Sequence, residues 1–279
     1  MIDTQVIDLR LGNWRDVIGD VEVDALITDP PFSARTHKGY VSATSITEEM
    51  ADRALARAQK HRGEIEAQAA KRRGQHDGGS LPKARWELPY LPLTETYCRE
   101  FVDAWRYRVR DWMVIFGDHI SNRWWLDALD AAGWLTFAPV PWVRIGSAPR
   151  FAGDGPANNC EWIAVARPKK RVREHASRPG FYMGPTARAA GEKSLITGGK
   201  PLWLMQALVR DYSLRGDRVC DPHAGSGTTL LAAAIEGRLG IGAELDERMW
   251  ARARSRIRRG HTPNLPLMER RAPEQLTFT

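Results

Sequence analysis

Short apolar runs that end at an acid or a glycine recur along this chain: VDALITD (23–29), DWMVIFGD (111–118), DRVCDP (217–222) and LGIGAELD (239–246). Runs of this length, bounded by turn residues, predict strands buried on both faces. QVIDLRLGN (5–13) alternates apolar and polar and predicts a strand ending at Gly12. WLTFAPVPWVRI (134–145) and CEWIAVARP (160–168) predict two more, seven strands in all. Between them the apolar positions recur at helical spacing. ETYCREFVDAWRYRVR (95–110), SNRWWLDALDAAG (121–133), KPLWLMQALVRDYSL (200–214), GTTLLAAAIEG (227–237) and ERMWARARSRIRR (247–259) predict helices. Strands alternating with helices predict an α/β fold with a mostly parallel sheet and right-handed crossovers.

Three segments break the pattern. Residues 33–92 hold ITEEMADRALARAQKHRGEIEAQAAKRR, rich in Ala, Glu, Arg and Lys and stopped by GQHDGGSLP. Such a segment predicts a polar, weakly packed helical insertion that can move. Residues 167–196 begin with RPKKRVREHASRPG and read as a basic loop. The tail, 259–279, reads as irregular. This leaves a regular core made of residues 1–32 and 93–258.

Composition narrows the class. The 279 residues carry a formal net charge of +7, and the pI is about 9.5. That balance favours a polyanionic partner such as nucleic acid. No apolar run approaches the roughly 18 residues of a membrane span. MIDTQVIDLR shows no basic region followed by an apolar core, so no secretory signal is expected. Cys98, Cys160 and Cys220 are far apart and share no ligand spacing with histidines. A reducing, cytoplasmic setting is therefore expected, with neither a disulfide framework nor a metal.

Two stretches carry the chemistry. In VCDPHAGSGTTLLAAA a strand ends at Cys220, and Asp221 and Pro222 lead to Gly225-Ser226-Gly227 and a helix at Thr228. Glycines let the backbone turn sharply and a ligand approach closely, and a helix N-terminus offers free N–H groups. About 20 residues further on, a second strand ends at Glu244, where a carboxylate can accept the hydroxyl hydrogens of a ribose. The loop lacks the Lys of a P-loop and the third glycine of a dinucleotide site. With Asp221 at the strand tip it suits a nucleoside ligand that also carries a positive amino group, and the plain alternative is a tight turn with no ligand. The second stretch is Asp29-Pro30-Pro31-Phe32 in LITDPPFSAR. The prolines cannot continue a strand, so this is either a strand stopped by a stiff turn or a turn that does chemistry.

Together the two stretches resemble the amino-methyltransferases of nucleic acids, and the order, tetrapeptide before cofactor loop, resembles the beta group of bacterial and phage DNA amino-methyltransferases of restriction-modification type. The resemblance implies a Rossmann-like class I methyltransferase fold with a seven-stranded, mostly parallel sheet in circularly permuted motif order. It implies S-adenosylmethionine as cofactor and DNA as substrate. Asp29 and the carbonyl of Pro30 would accept hydrogen bonds from the target amino group, Pro31 would help fix that carbonyl, and Phe32 would stack on a flipped base. Asp221, Pro222, Ala224, Gly225, Ser226, Gly227 and Thr228 correspond to the cofactor loop, and Glu244 and Leu245 to the ribose acid and its neighbour. Lys200-Pro201 resembles the helix-start motif that flanks the methionine end, preceded at one residue's offset by Thr197. Asn13 sits where the family often places an adenine-binding Asp or Asn, although an ordinary turn residue would look the same.

For nucleic acid, the resemblance and the charge together single out Arg144, Arg150, Lys169, Lys170, Arg171 and Arg173. Arg144 with Glu161 could equally form an internal salt bridge. The interval 167–196 is the candidate target-recognition segment, and the basic helix 247–259 is a further candidate surface. Family habit favours adenine N6 over cytosine N4 for a tetrapeptide that begins with Asp. An RNA or protein-glutamine substrate, or a DNA-binding module with a decayed site, are the rival readings. Double-stranded DNA is the expected partner and a homodimer the expected assembly.

Overall fold

The computed structural model describes residues 6–33, 93–145, 158–169, 176–187, 189–191 and 199–259. The insertion beyond Ser33, Arg150, Lys170, Arg171, Arg173, Thr197 and the tail beyond Arg259 lie outside the described residues.

Among the described residues, nine strands and six helices follow one another. They are β1 (Ile7–Leu11), α1 (Trp14–Val17), β2 (Val23–Thr28), α2 (Glu95–Trp105), β3 (Val109–Gly117), α3 (Ser121–Ala131), β4 (Trp134–Thr136), β5 (Val140–Ile145), β6 (Cys160–Pro168), β7 (Tyr182–Pro185), α4 (Leu202–Tyr212), β8 (Arg218–Asp221), α5 (Thr228–Ile235), β9 (Leu239–Glu244) and α6 (Glu247–Arg259). All the strands join one sheet in the order β1-β9-β8-β2-β3-β6-β5-β7, and β4 pairs the end of β6 that β5 leaves. The pairs from β1 through to β3 are parallel. β6 runs antiparallel to β3, β4 and β5, and β7 runs parallel to β5.

The sheet is covered on both faces, which is why its central strands read as near-continuous apolar runs. Met113 and Ile115 of β3 face one core with Phe101 and Trp105 of α2 and Trp125 and Leu129 of α3. Val114 and Phe116 face the other, with Leu204, Leu208 and Tyr212 of α4 and Leu231 of α5. Helix α2 buries Cys98, Phe101, Val102 and Trp105, the spacing of a single helical stripe. Thr94 caps it by accepting the Tyr97 N–H at 3.2 Å.

Three expectations change. The sheet has nine described strands rather than seven. WLTFAPVPWVRI divides into β4 and β5, because Pro139 has no N–H for the ladder and pushes Ala138 out of register. Part of the basic stretch read as loop forms β7 on β5. Helix 95–110 also stops earlier, with Arg106 as C-cap, and Val109 already pairs with Val23. The three cysteines are free. No helix among the described residues is long and apolar enough to cross a membrane.

Candidate active site

Strands β1, β9, β8, β2 and β3 are parallel, so their carboxyl ends form one rim. The chain leaves β8 through α5 toward β9 and leaves β2 toward β3, in opposite directions from neighbouring strands. Ligands of open α/β sheets sit at such a divergence. Here the two motifs of the sequence meet. Thr28 Oγ1, at the end of β2, donates to Asp221 Oδ1, at the end of β8, at 2.7 Å across 193 residues of chain.

Asp29 follows directly and opens a chain of four alternating charges. Lys200 Nζ donates to Asp29 Oδ2 at 2.5 Å and lies 3.2 Å from Glu161 Oε2. Glu161 Oε1 in turn pairs with Arg144 at 3.1 Å, and Arg144 also donates to the Asn158 carbonyl. The Lys200 side chain is only 5% exposed and Glu161 9%. Burial pushes the Asp29 carboxyl up to about 6, against the pull of Lys200. Burial acting alone would discharge Lys200, but the two carboxylates outweigh it and hold the ammonium protonated. The ammonium also lies 4.9 Å from the centroid of Phe116 and 5.2 Å from that of Phe32, within cation–π range. The other oxygen of Asp29, Oδ1, is buried and has no hydrogen-bond partner among the described residues.

The turn after Asp29 is pinned. Asp118, just past β3, accepts the Ser33 N–H at 3.1 Å and the Ser33 hydroxyl at 2.5 Å through Oδ2. Its Oδ1 accepts the Ile120 and Ser121 N–H groups, which starts α3. Leu93 N donates to the Phe32 carbonyl at 3.0 Å, and Ser33 pairs with Leu93. The segment 34–92 thus leaves and returns at one point beside the tetrapeptide.

The glycine loop is braced from below. Asp221 accepts from Thr28, from the His223 N–H and from the Thr229 hydroxyl, the last at 2.5 Å, and burial raises its pKa to about 6. Its carboxylate therefore holds the loop. His223 continues the network, with Nδ1 at 3.2 Å from Thr28 Oγ1 and Nε2 at 2.8 Å from the Tyr97 hydroxyl. Burial lowers its pKa to about 3, so the ring is neutral. Tyr97 also accepts the Trp14 indole N–H at 3.2 Å. Gly227 opens α5 at φ +72°, a left-handed conformation that favours glycine. Gly225 N donates to Glu244 Oε2 and Asp246 N to Glu244 Oε1, both at 2.8 Å. Leu245 beside it is 70% exposed. From outside, Arg256 of α6 donates to Thr228 Oγ1 at 2.7 Å and to the Ser226 carbonyl at 3.2 Å.

Gly242 is a close approach between the two strand ends. A Cβ there would lie 2.7 Å from the Asp221 carbonyl oxygen and 3.0 Å from Leu230 Cδ1. Gly242→Ala is expected to cost about 1–3 kcal/mol by overpacking. It should also weaken cofactor binding, because it parts the strand ends that carry Asp221 and Glu244. Thermal melts with and without cofactor read both effects.

The other predicted residues divide. Pro201 is the N-cap of α4, and Pro222 and Ala224 are buried in the loop. Asn13 is at the rim, but its side chain accepts the Arg15 N–H at 3.0 Å and caps α1. Arg144 pairs with Glu161 and donates to the Asn158 carbonyl, which forms the internal salt bridge given as the alternative. Lys169 lies away from the rim. Antiparallel β6 carries the chain away from the rim, since its Trp162 pairs Gly117 while its Ala166 pairs Met113. Lys169 is exposed at the opposite edge. Arg178 is there as well, donating to the Asp211 carbonyl at 2.7 Å and stacked on Trp112. Thr28, Asp118 and Tyr97 carry no signal of their own in the sequence, whereas His223 lies inside the glycine-loop motif and Arg256 inside the basic helix 247–259.

A family model described as DNA methylase matches residues 23–254. The type II methyltransferase M.MthZI of Methanothermobacter thermautotrophicus is 38% identical over 78 residues, 28% of this chain and 22% of that relative's length. Among solved structures, the complex of M1.HpyAVI with SAM aligns over 89% of this chain and 98% of its own, with 20% identity and a TM-score of 0.57. The cytosine-N4-specific PvuII DNA methyltransferase aligns over 94% and 90%, with 13% identity and a TM-score of 0.56.

Proposed function

The chain belongs to the DNA methylase family of adenine-N6 and cytosine-N4 amino-methyltransferases, and from that membership we propose that it methylates the N6 amino group of adenine in double-stranded DNA, with the target base swung out of the helix. Members of this family take the methyl group from S-adenosylmethionine, which when bound presents an electrophilic methyl on a sulfonium. The rim residues fit that group. Glu244 is a half-exposed carboxylate at a strand end with exposed Leu245 beside it. The N-terminus of α5 has no side-chain cap, which leaves N–H groups for a ligand.

The observation that carries the reading is the state of Asp29. One carboxylate oxygen is held by Lys200 and the other is buried without a partner. A buried acceptor left unpaired costs free energy, and a donor that arrives with the substrate relieves that cost. An exocyclic amino group carries two N–H donors. Asp29 Oδ1 accepts one and the Pro30 carbonyl the other, which draws the nitrogen lone pair out of the ring and aims it. The contribution is positioning and electrostatics, with no covalent intermediate. Phe32 stacks on the base. Adenine is favoured over cytosine by the resemblance of a tetrapeptide that begins with Asp. DNA as the polyanion is supported by the charge of +7 and by α6, whose exposed Arg248, Arg252, Arg254, Arg258 and Arg259 face solvent.

DNA from an expressing host is expected to contain 6-methyladenine at a defined sequence; 4-methylcytosine alone would overturn the choice of base. Labelled methyl transfer should go to DNA and not to RNA or protein supplied in parallel. Asp29 must be ionised to accept, so kcat is expected to rise with pH through about 6 and level off above it. A rate independent of pH between 5 and 7 would count against Asp29 as the acceptor.

A further inference from the structure

The reading above uses Asp29 and leaves a second carboxylate and a second cation unexplained. Lys200 alone would hold Asp29 ionised. Yet Glu161 and Arg144 are also taken out of water behind it, and burying charges is expensive even when they are paired. An ammonium is a compact cation with three donors on a flexible stem. With Asp29 as its sole partner it would be drawn over both carboxylate oxygens. Instead Nζ lies between two acids, 2.5 Å from Asp29 Oδ2 and within ion-pair range of Glu161 Oε2 at 3.2 Å, and among the described residues neither Asp29 Oδ1 nor Glu161 Oε2 has a hydrogen-bond partner. Glu161 in turn is fixed by Arg144, from the neighbouring strand β5.

We propose that Glu161, oriented by Arg144, is a positioning residue for methyl transfer: it holds Lys200 back so that the ammonium engages one oxygen of Asp29 and leaves the other to the amino group of the target base. This rests on the reading of Asp29 as the acceptor. Among the described residues, the charged groups that face Asp29 are Lys200 and Glu161, together with Asp221, which feels its charge from the end of β8. Phe32 and Phe116, which flank the ammonium, carry no charge.

The sign of the effect follows from the charges. Glu161 raises the pKa of Asp29 and Lys200 lowers it. In Glu161→Gln the raising charge is gone and Lys200 closes on Asp29, so the acid limb of kcat moves to lower pH. The plateau kcat falls about 10- to 100-fold, the scale of a misplaced reacting group, while the KM for S-adenosylmethionine is unchanged. In Arg144→Gln, Glu161 loses its rival cation and draws Lys200 away from Asp29, so the limb moves to higher pH. Arg144→Lys restores the wild-type limb. Opposite shifts in the two variants support the proposal. Limbs that stay in place, or move the same way, overturn it, even if both variants melt at lower temperature. Asp29→Ala, assayed alongside, separates the two levels. If it is active, the reading of Asp29 falls; if it is inactive while the limbs do not move, the positioning role alone falls.

Discussion

Asp29→Asn is expected to lose methyl transfer by at least about 10²–10³-fold, the scale set by removal of one preorganised electrostatic group, while S-adenosylmethionine still binds. The amide is nearly the shape of the carboxylate, so the turn held by Asp118 and Ser33 is retained. What is lost is the charge, and with it the pull on an amino nitrogen whose lone pair is delocalised into the base. The glycine loop is braced by Asp221, Thr28 and Thr229 without help from the Asp29 side chain, so heat stabilisation by the cofactor should match that of the wild type. A second consequence concerns stability. Burial raises Asp29 from 3.8 to about 6, so the folded state binds its proton more tightly than an ordinary carboxylate does. Ionising Asp29 therefore lowers stability as pH rises from about 4 to about 6. Asp29→Asn is expected to flatten that fall, and the slope due to Asp221, raised the same way, should stay. Full activity in this variant would remove the mechanism altogether.

The fold and half of the site could be read from the chain because their signals are local. A tetrapeptide with two prolines and a loop with two glycines announce themselves by residue types that few other conformations need. The strands beside them are apolar runs with abrupt ends. The partner of Asp29 could not be read, because Lys200 is 171 residues away and contact depends on β6, β5 and β7 returning the chain to the rim. Lys200 is expected beside the cofactor from the resemblance of Lys200-Pro201 to a helix-start motif; its contact with Asp29 is seen only in the folded chain. Lys169 shows a related limit. Resemblance and charge single it out for nucleic acid, and only the antiparallel register of β6 on β3 places it at the end of the sheet opposite the rim. Asp221 shows a third kind of gap. Its type and place at a strand tip suggested direct recognition of a cationic group, yet three hydrogen bonds within the protein occupy it.

Lys200→Met is expected to be the most damaging single change to the site, because it strikes activity and stability at once. Methionine matches the length and much of the volume of the lysine stem, so the packing between Phe32 and Phe116 survives. The cation does not. Asp29 loses the one partner that opposes its burial, and its pKa rises further above 6. At neutral pH a large fraction then becomes the protonated acid, which no longer accepts the amino hydrogen as a carboxylate does. Removing one member of a buried ion pair typically costs about 3–5 kcal/mol, since the remaining charge has no compensation. Here Glu161 keeps Arg144, so the lower end of that range applies, and Asp29 relieves the rest by taking up a proton. That uptake gives the test its sign. The loss of stability should be largest above pH 7 and should shrink as pH falls toward 5, while activity follows the reverse course and recovers partly at high pH. Paired with Asp29→Asn, which removes the stranded carboxylate, the stability loss of Lys200→Met should shrink by more than additivity allows. Thermal melts across pH for both single variants and the double variant measure this, and strict additivity would mean that the two side chains do not act as a pair.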